Sequence, residues 1–164
     1  PQESLTTLIQ ATRMAPADAV AWHELGRTYQ ALGKLSEARD AMERAVTLDP
    51  ELPEPHNNLG NLWMESGDTA KAFTSFREAI RLVPESYRAR FSYAIALGRT
   101  RQVDEAQRQL EEALRIEPGF LDARVLLGDL LLALDRRGEA LMHYREAVRY
   151  EPAPGRARFA LGRA

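Results

Sequence analysis

Five prolines stand at equal intervals along this chain. Pro16, Pro50, Pro84, Pro118 and Pro152 recur with a single fixed period, and an apolar residue precedes each by two places: Met14, Leu48, Leu82, Ile116 and Tyr150. Proline cannot continue a helical hydrogen-bond ladder, so each one is a stop for whatever helix precedes it. A fixed period of this length is the mark of a repeat array, in which each unit is one supersecondary element packed on its neighbours. Aligned on the prolines, Ala38, Ala72, Ala106 and Ala140 coincide, and so do Ala45, Ala79, Ala113 and Ala147. Gly26, Gly60, Gly128 and Gly162 share another slot, which Ala94 fills in the one unit that lacks the glycine.

Inside the first full unit, Trp22, Leu25, Gly26 and Tyr29 follow the i, i+3, i+4, i+7 spacing of one helix face. Ala38, Met42, Ala45 and Val46 do the same for a second helix. Between them "ALGKLS" supplies Gly33 as a helix stop and Ser36 as an N-cap. In the second unit "ESGDTA" supplies Gly67 and Asp68 for the same purpose. A glycine inside a helix costs about 1 kcal/mol relative to alanine. Its recurrence in the Gly26 slot implies a partner helix packed close to the backbone there, and Ala38 and Ala45 are small for the same reason.

The pattern Trp22-x2-Leu25-Gly26-x2-Tyr29, then Ala38-x3-Met42, then Pro50 resembles the tetratricopeptide repeat (TPR) family, whose signature is W-x2-L-G-x2-Y, A-x3-F and P in each repeat. The family's repeat length is also the spacing of the prolines here. Met42 stands where the family has Phe, and Phe76 restores it in the second unit. The resemblance covers essentially the whole chain. It implies an all-α, right-handed superhelical solenoid of antiparallel helix hairpins, about ten helices in all. Residues 1–18 correspond to helix B of a partial repeat. Full repeats follow at 19–52, 53–86, 87–120 and 121–154, and 155–164 begins a partial helix A. The third unit departs most, with Arg90 and Tyr93 in the Trp22 and Leu25 slots and a turn, "GRTRQV", without the late glycine.

Other functions find little support. "WHELGRTY" opens like the H-E-x-x-H helix of zinc proteases, but its fifth residue is Arg27, a permanent cation that cannot ligate zinc. The three histidines lie in different units with no i, i+4 pair, and cysteine is absent. No metal, cofactor, disulfide or thiol chemistry is expected, and no convergent acid, base or nucleophile marks an enzyme. His23 is expected on the side away from the hairpin core, as a structural or solvated residue. A net charge of −2 and a pI near 6.0 argue against nonspecific nucleic-acid binding. No apolar run is long enough to insert in a membrane. All but two of the 22 basic residues are arginine, which favours bidentate pairing with carboxylates. The first ten residues, "PQESLTTLIQ", have no signal-peptide pattern and no initiator Met, so the chain is read as processed or as part of a longer bacterial protein; its compartment stays open.

The resemblance also implies where a partner would lie. In the family helix A lines a concave groove, and its second, fifth, ninth and twelfth positions point inward. Those slots place Arg27, Asn57, Asn61, Arg88, Phe91, Ile95 and Asp129 in the groove. The carboxylate clamp of some TPR domains would fall on His23, Arg27, Asn58, Arg88 and Ser92; only Asn58 matches, so that clamp is rejected. Asn57 and Asn61, one turn apart, are placed to grip a peptide backbone, or else are two solvated amides. Arg27, Arg88 and Arg99 either meet acidic partner groups or pair with Glu24, Glu54 or Glu65. The expected function is thus a non-catalytic scaffold that binds a protein or peptide segment. The alternative is head-to-tail self-association into filaments. Leu5, Leu8 and Ile9 at one end and Phe159, Leu161 and Gly162 at the other are complementary halves of a repeat, although cutting a longer array leaves the same ends.

Overall fold

Proline and glycine punctuation divides the chain into short helices, none longer than one half of a repeat. The computed structural model describes residues 2–150. It contains α1 (Gln2–Met14), α2 (Ala19–Ala31), α3 (Leu35–Leu48), α4 (Pro53–Ser66), α5 (Thr69–Leu82), α6 (Tyr87–Arg99), α7 (Val103–Ile116), α8 (Leu121–Ala133) and α9 (Arg137–Tyr150). Among the described residues there is no strand. The partial helix A expected at 155–164 lies outside them. The chain forms two compact units, residues 1–84 and 85–164. In the first, α2 pairs with α3 and α4 with α5, while α1 packs on α2 and α3 on α4. In the second, α6 pairs with α7 and α8 with α9, and α7 packs on α8.

The glycine slot explains the hairpins. A Cβ placed on Gly60 would lie 2.5 Å from the Phe76 ring, and one on Gly128 would lie 2.4 Å from the Tyr144 ring. On Gly26 it would meet the flexible Met42 side chain at 3.0 Å and the Ala38 backbone carbonyl at 3.1 Å. Each ring thus sits in the space of a missing methyl group. In the third repeat the opposing residue is Leu110, which needs less room, and there the slot holds Ala94; both are buried in one cluster. The alanine is a volume exchange across the hairpin, with total packing conserved.

The A-to-B turns also repeat. Gly33 and Gly67 are left-handed, at φ 71° and 86°, and Arg101 and Asp135 take the same conformation in the later units, at 61° and 59°. In each turn a backbone N–H reaches back five residues, Lys34 to Tyr29, Asp68 to Trp63, Gln102 to Leu97 and Arg136 to Leu131. This is the long bond of a Schellman closure. The third repeat therefore keeps its turn without the glycine, at the cost of left-handed strain. Arg101→Gly is expected to raise stability by about 1 kcal/mol and the melting temperature by about 2–4 °C. An unchanged or lower melting temperature would contradict the left-handed assignment.

Asp68 caps α5 as expected, accepting from the Lys71 N–H. Ser36 does not cap α3. That helix already begins at Leu35, with Lys34 in the cap position, and the Ser36 hydroxyl donates to Glu37 instead. The Schellman closure ends the turn at Lys34, two residues earlier than a Ser36 cap requires.

The slot of Trp22 anchors helix A to the turn before it. Trp22 Nε1–H donates to the Pro16 carbonyl at 3.1 Å, His56 Nε2 bonds the Pro50 carbonyl at 2.9 Å, and an Arg124 guanidinium N–H donates to the Pro118 carbonyl. Indole, imidazole and guanidinium all satisfy one exposed acceptor. Substituting arginine for tryptophan at this slot therefore preserves its task.

Candidate functional site

In the first unit the A helices are α2 and α4. His23, in the fifth position of its repeat, is only 7% exposed. Its Nε2 lies 3.0 Å from Asn58 Nδ2 on α4. The amide N–H donates, so Nε2 accepts and the neutral ring carries its proton on Nδ1. Burial holds the His23 pKa below the ordinary histidine value, and Arg27 adds to this, against opposing pulls from Glu24 and Glu54. The histidine is thus structural, but it is not solvated and does not face away from the packing. It ties α2 to α4, because this slot of one A helix faces the next. Asn58 is engaged by that bond.

Asn57 and Asn61 lie one turn apart on α4, both half-buried. Asn57 Oδ1 is enclosed and has no hydrogen-bond partner among the described residues. Arg27 is exposed and pairs with Glu24 at 3.2 Å. This is the surface pairing that was one of its two expected roles. Val20, at 56% exposure, adds an apolar patch on the same helix.

In the second unit the A helices are α6 and α8. Ile95 is 40% exposed, and Arg88 is exposed with its guanidinium 5.4 Å from the Tyr87 ring centroid. Phe91 meets Phe120 edge-on at 4.9 Å, and Phe120 meets Tyr87 the same way at 4.9 Å. Tyr87 and Phe120 sit at the repeat junction, outside the inward-pointing slots, which is why spacing did not single them out. Asp129 is exposed, yet its carboxylate accepts the Tyr144 hydroxyl at 2.7 Å and so braces the α8–α9 hairpin.

The expected site residues therefore divide. Asn58, Phe91 and Asp129 are bound into the fold, while Asn57, Asn61, Arg88 and Ile95 lack such ties in the contacts described above. Of the end-to-end residues, Leu5, Leu8 and Ile9 are half-buried on α1, which packs on α2. Phe159, Leu161 and Gly162 lie outside the described residues. Within the described residues no group of three or more His, Asp or Glu is placed to hold a metal ion, and no helix is long and apolar enough to cross a membrane.

Comparison with known proteins agrees with the geometry. Tetratricopeptide repeat family models match residues 19–52, 53–86, 99–141 and 125–164. Among solved structures, MamA from Desulfovibrio magneticus is 18% identical with a TM-score of 0.84, covering 93% of this chain and 86% of its own. YrrB, described as a TPR protein with an unusual peptide-binding site, is 23% identical with a TM-score of 0.78, covering 99% and 82%. A thermophilic TPR protein of Thermus thermophilus is 22% identical with a TM-score of 0.78, covering 97% and 87%. These likenesses are of fold, an all-α solenoid of helix hairpins. The recurring glycine–ring hairpins, the regular proline register and the matched models lead to one conclusion: this chain belongs to the tetratricopeptide repeat family.

Proposed function

We propose that the chain is a non-catalytic scaffold that holds a protein segment against its A helices, with Asn57 and Asn61 of α4 gripping the segment's backbone. The observation that carries this reading is the enclosed, unpartnered Oδ1 of Asn57, one turn from a second half-buried amide. An unsatisfied buried acceptor costs about 1–3 kcal/mol, and rotation of the Asn57 amide toward the face would let a guest's backbone N–H offset it. An amide both donates and accepts, so two in register suit an extended peptide irrespective of its sequence. The peptide-binding site ascribed to YrrB, which shares the fold, supports the reading.

Panning a random peptide display library on the chain tests it. Enriched peptides are expected to bind in the micromolar range and to lose at least tenfold in affinity when Asn57→Ala is combined with Asn61→Ala, while the helical circular dichroism is retained. Equal affinity for the double variant would remove the asparagines from the site. A molar mass that climbs with concentration, and that Phe159→Asp holds at 18.4 kDa, would favour the head-to-tail alternative.

A further inference from the structure

A second surface, separate from the asparagine face, lies between α3 and α5, the B helices of the two full hairpins of the first unit. A cavity of about 470 Å³ opens between α3 and α5 over α4. Its floor is apolar, formed by Val46, Leu59 and Trp63, and Thr74 and Ser75 lie on one wall.

Charge is ordered along it. Helices α3 and α5 hold the same place in successive hairpins, so both run in one direction and α4 runs against them. At the end where α3 and α5 begin, Lys71 Nζ stands 4.1 Å from the Trp63 ring centroid and 3.6 Å from the Asp68 carboxylate, and the Arg39 guanidinium is 4.9 Å from the ring centroid. No carboxylate lies within ion-pair distance of Arg39 among the described residues. Further along, Glu43, His56 and Glu78 line the walls, with Glu78 paired to Arg81 at 2.8 Å. The groove thus passes from cationic, through apolar, to anionic.

The repeat itself does not demand this. Two repeats further on, in α7, α8 and α9, Gln107, Leu131 and Glu139 take the places of Arg39, Trp63 and Lys71. There Arg136 bridges Gln107 at 2.8 Å and Glu139 at 2.7 Å, an internal link that leaves no cationic end.

We propose that the α3–α5 groove docks a segment of another protein whose side chains read acidic, apolar, basic. The acidic end meets Arg39 and Lys71, the apolar side chain rests on Trp63, Leu59 and Val46, and the basic end meets Glu43 and Glu78. Like charge at either end would be repelled, so the order of charges sets specificity.

Three labelled peptides measured by fluorescence anisotropy on the whole chain at low salt provide the test: Glu-Glu-Leu-Phe-Leu-Lys-Lys, Glu-Glu-Leu-Phe-Leu-Glu-Glu and Lys-Lys-Leu-Phe-Leu-Lys-Lys. The mixed peptide is expected to bind at least tenfold tighter than either other. Arg39→Glu with Lys71→Glu should transfer that preference to the lysine-ended peptide. Trp63→Leu, the residue that Leu131 supplies at this place in the fourth repeat, should weaken the mixed peptide at least threefold with the helical circular dichroism retained. Asn57→Ala with Asn61→Ala should change none of these affinities, which keeps this site distinct from the asparagine face. Three equal affinities, no binding of the mixed peptide, or a preference unmoved by the charge reversal would overturn the assignment. So would a concentration-dependent rise in molar mass that the charge reversal abolishes, since the occupant would then be a second copy of the chain.

Discussion

Gly128→Ala is expected to destabilise the second unit by about 2 kcal/mol through overpacking, and Tyr144→Leu in the same chain to restore most of that loss. The new methyl carbon would sit 2.4 Å from the Tyr144 ring, well inside contact distance. The ring has nowhere to go: it is 0% exposed and its hydroxyl is held by Asp129 at 2.7 Å. Overpacking of a core costs about 1–3 kcal/mol, and this clash belongs at the upper end. Alanine returns up to about 1 kcal/mol through helix propensity, which leaves the net loss. The rescue follows from the third repeat, where Ala94 and Leu110 already form the alternative pairing. Urea melts of the two single variants and the double variant would measure the coupling directly. Gly26→Ala serves as the comparison: Met42 can yield but the Ala38 carbonyl, 3.1 Å from the new methyl, is backbone, so a loss smaller than that of Gly128→Ala is expected. Additive effects of Gly128→Ala and Tyr144→Leu would refute the exchange of ring for methyl.

Acidification is expected to destabilise both units through two histidines. His23 and His143 both have pKa values below the usual one of about 6.5, chiefly through burial, with Arg27 and Arg124 respectively adding to the effect. For such a group the unfolded chain binds its proton first. Its contribution to stability is therefore complete above pH of about 6.5 and declines as pH falls through the depressed folded value. Each group can add at most about 1.4 kcal/mol per pH unit within that window. Protonation of His23 would also remove the acceptor that Asn58 uses at 3.0 Å. Melting temperatures from pH 8 to pH 5 should fall less steeply for His23→Gln with His143→Gln than for the parent chain. Parallel profiles would assign the acid sensitivity to other groups.

Sequence spacing reveals what depends on one hairpin alone. The stops at Pro50 and Pro84, the helix faces and the close approach at Gly60 all follow from residues within a single period. Contacts between hairpins are harder to read. The bond from His23 to Asn58 spans one repeat plus one residue, so it depends on how α2 and α4 are rotated against each other, and neither residue type signals it. Conformation without a residue signature was hidden too: Arg101 occupies the left-handed slot of Gly33 because the closing bond from Gln102 to Leu97 holds it there. Roles shared by unlike groups were hidden in a third way. Trp22, His56 and Arg124 have no common chemistry except an N–H aimed at a proline carbonyl. The α3–α5 groove escaped notice because family resemblance draws attention to the A helices, whereas Arg39 and Lys71 belong to B helices.

The densest packing in both units joins each A helix to the B helix that follows it. Such contacts close within a few tens of residues, and a helix hairpin of this kind forms in microseconds to milliseconds. A ribosome adds about 5–20 residues per second, so one repeat takes roughly 2–7 s to appear. Each hairpin thus has ample time to fold before the next leaves the exit tunnel. The apolar face of α3 would then wait, open, for α4 to be synthesised, and it is in those seconds that the nascent chain is most exposed to a chaperone or to its neighbours on the polysome.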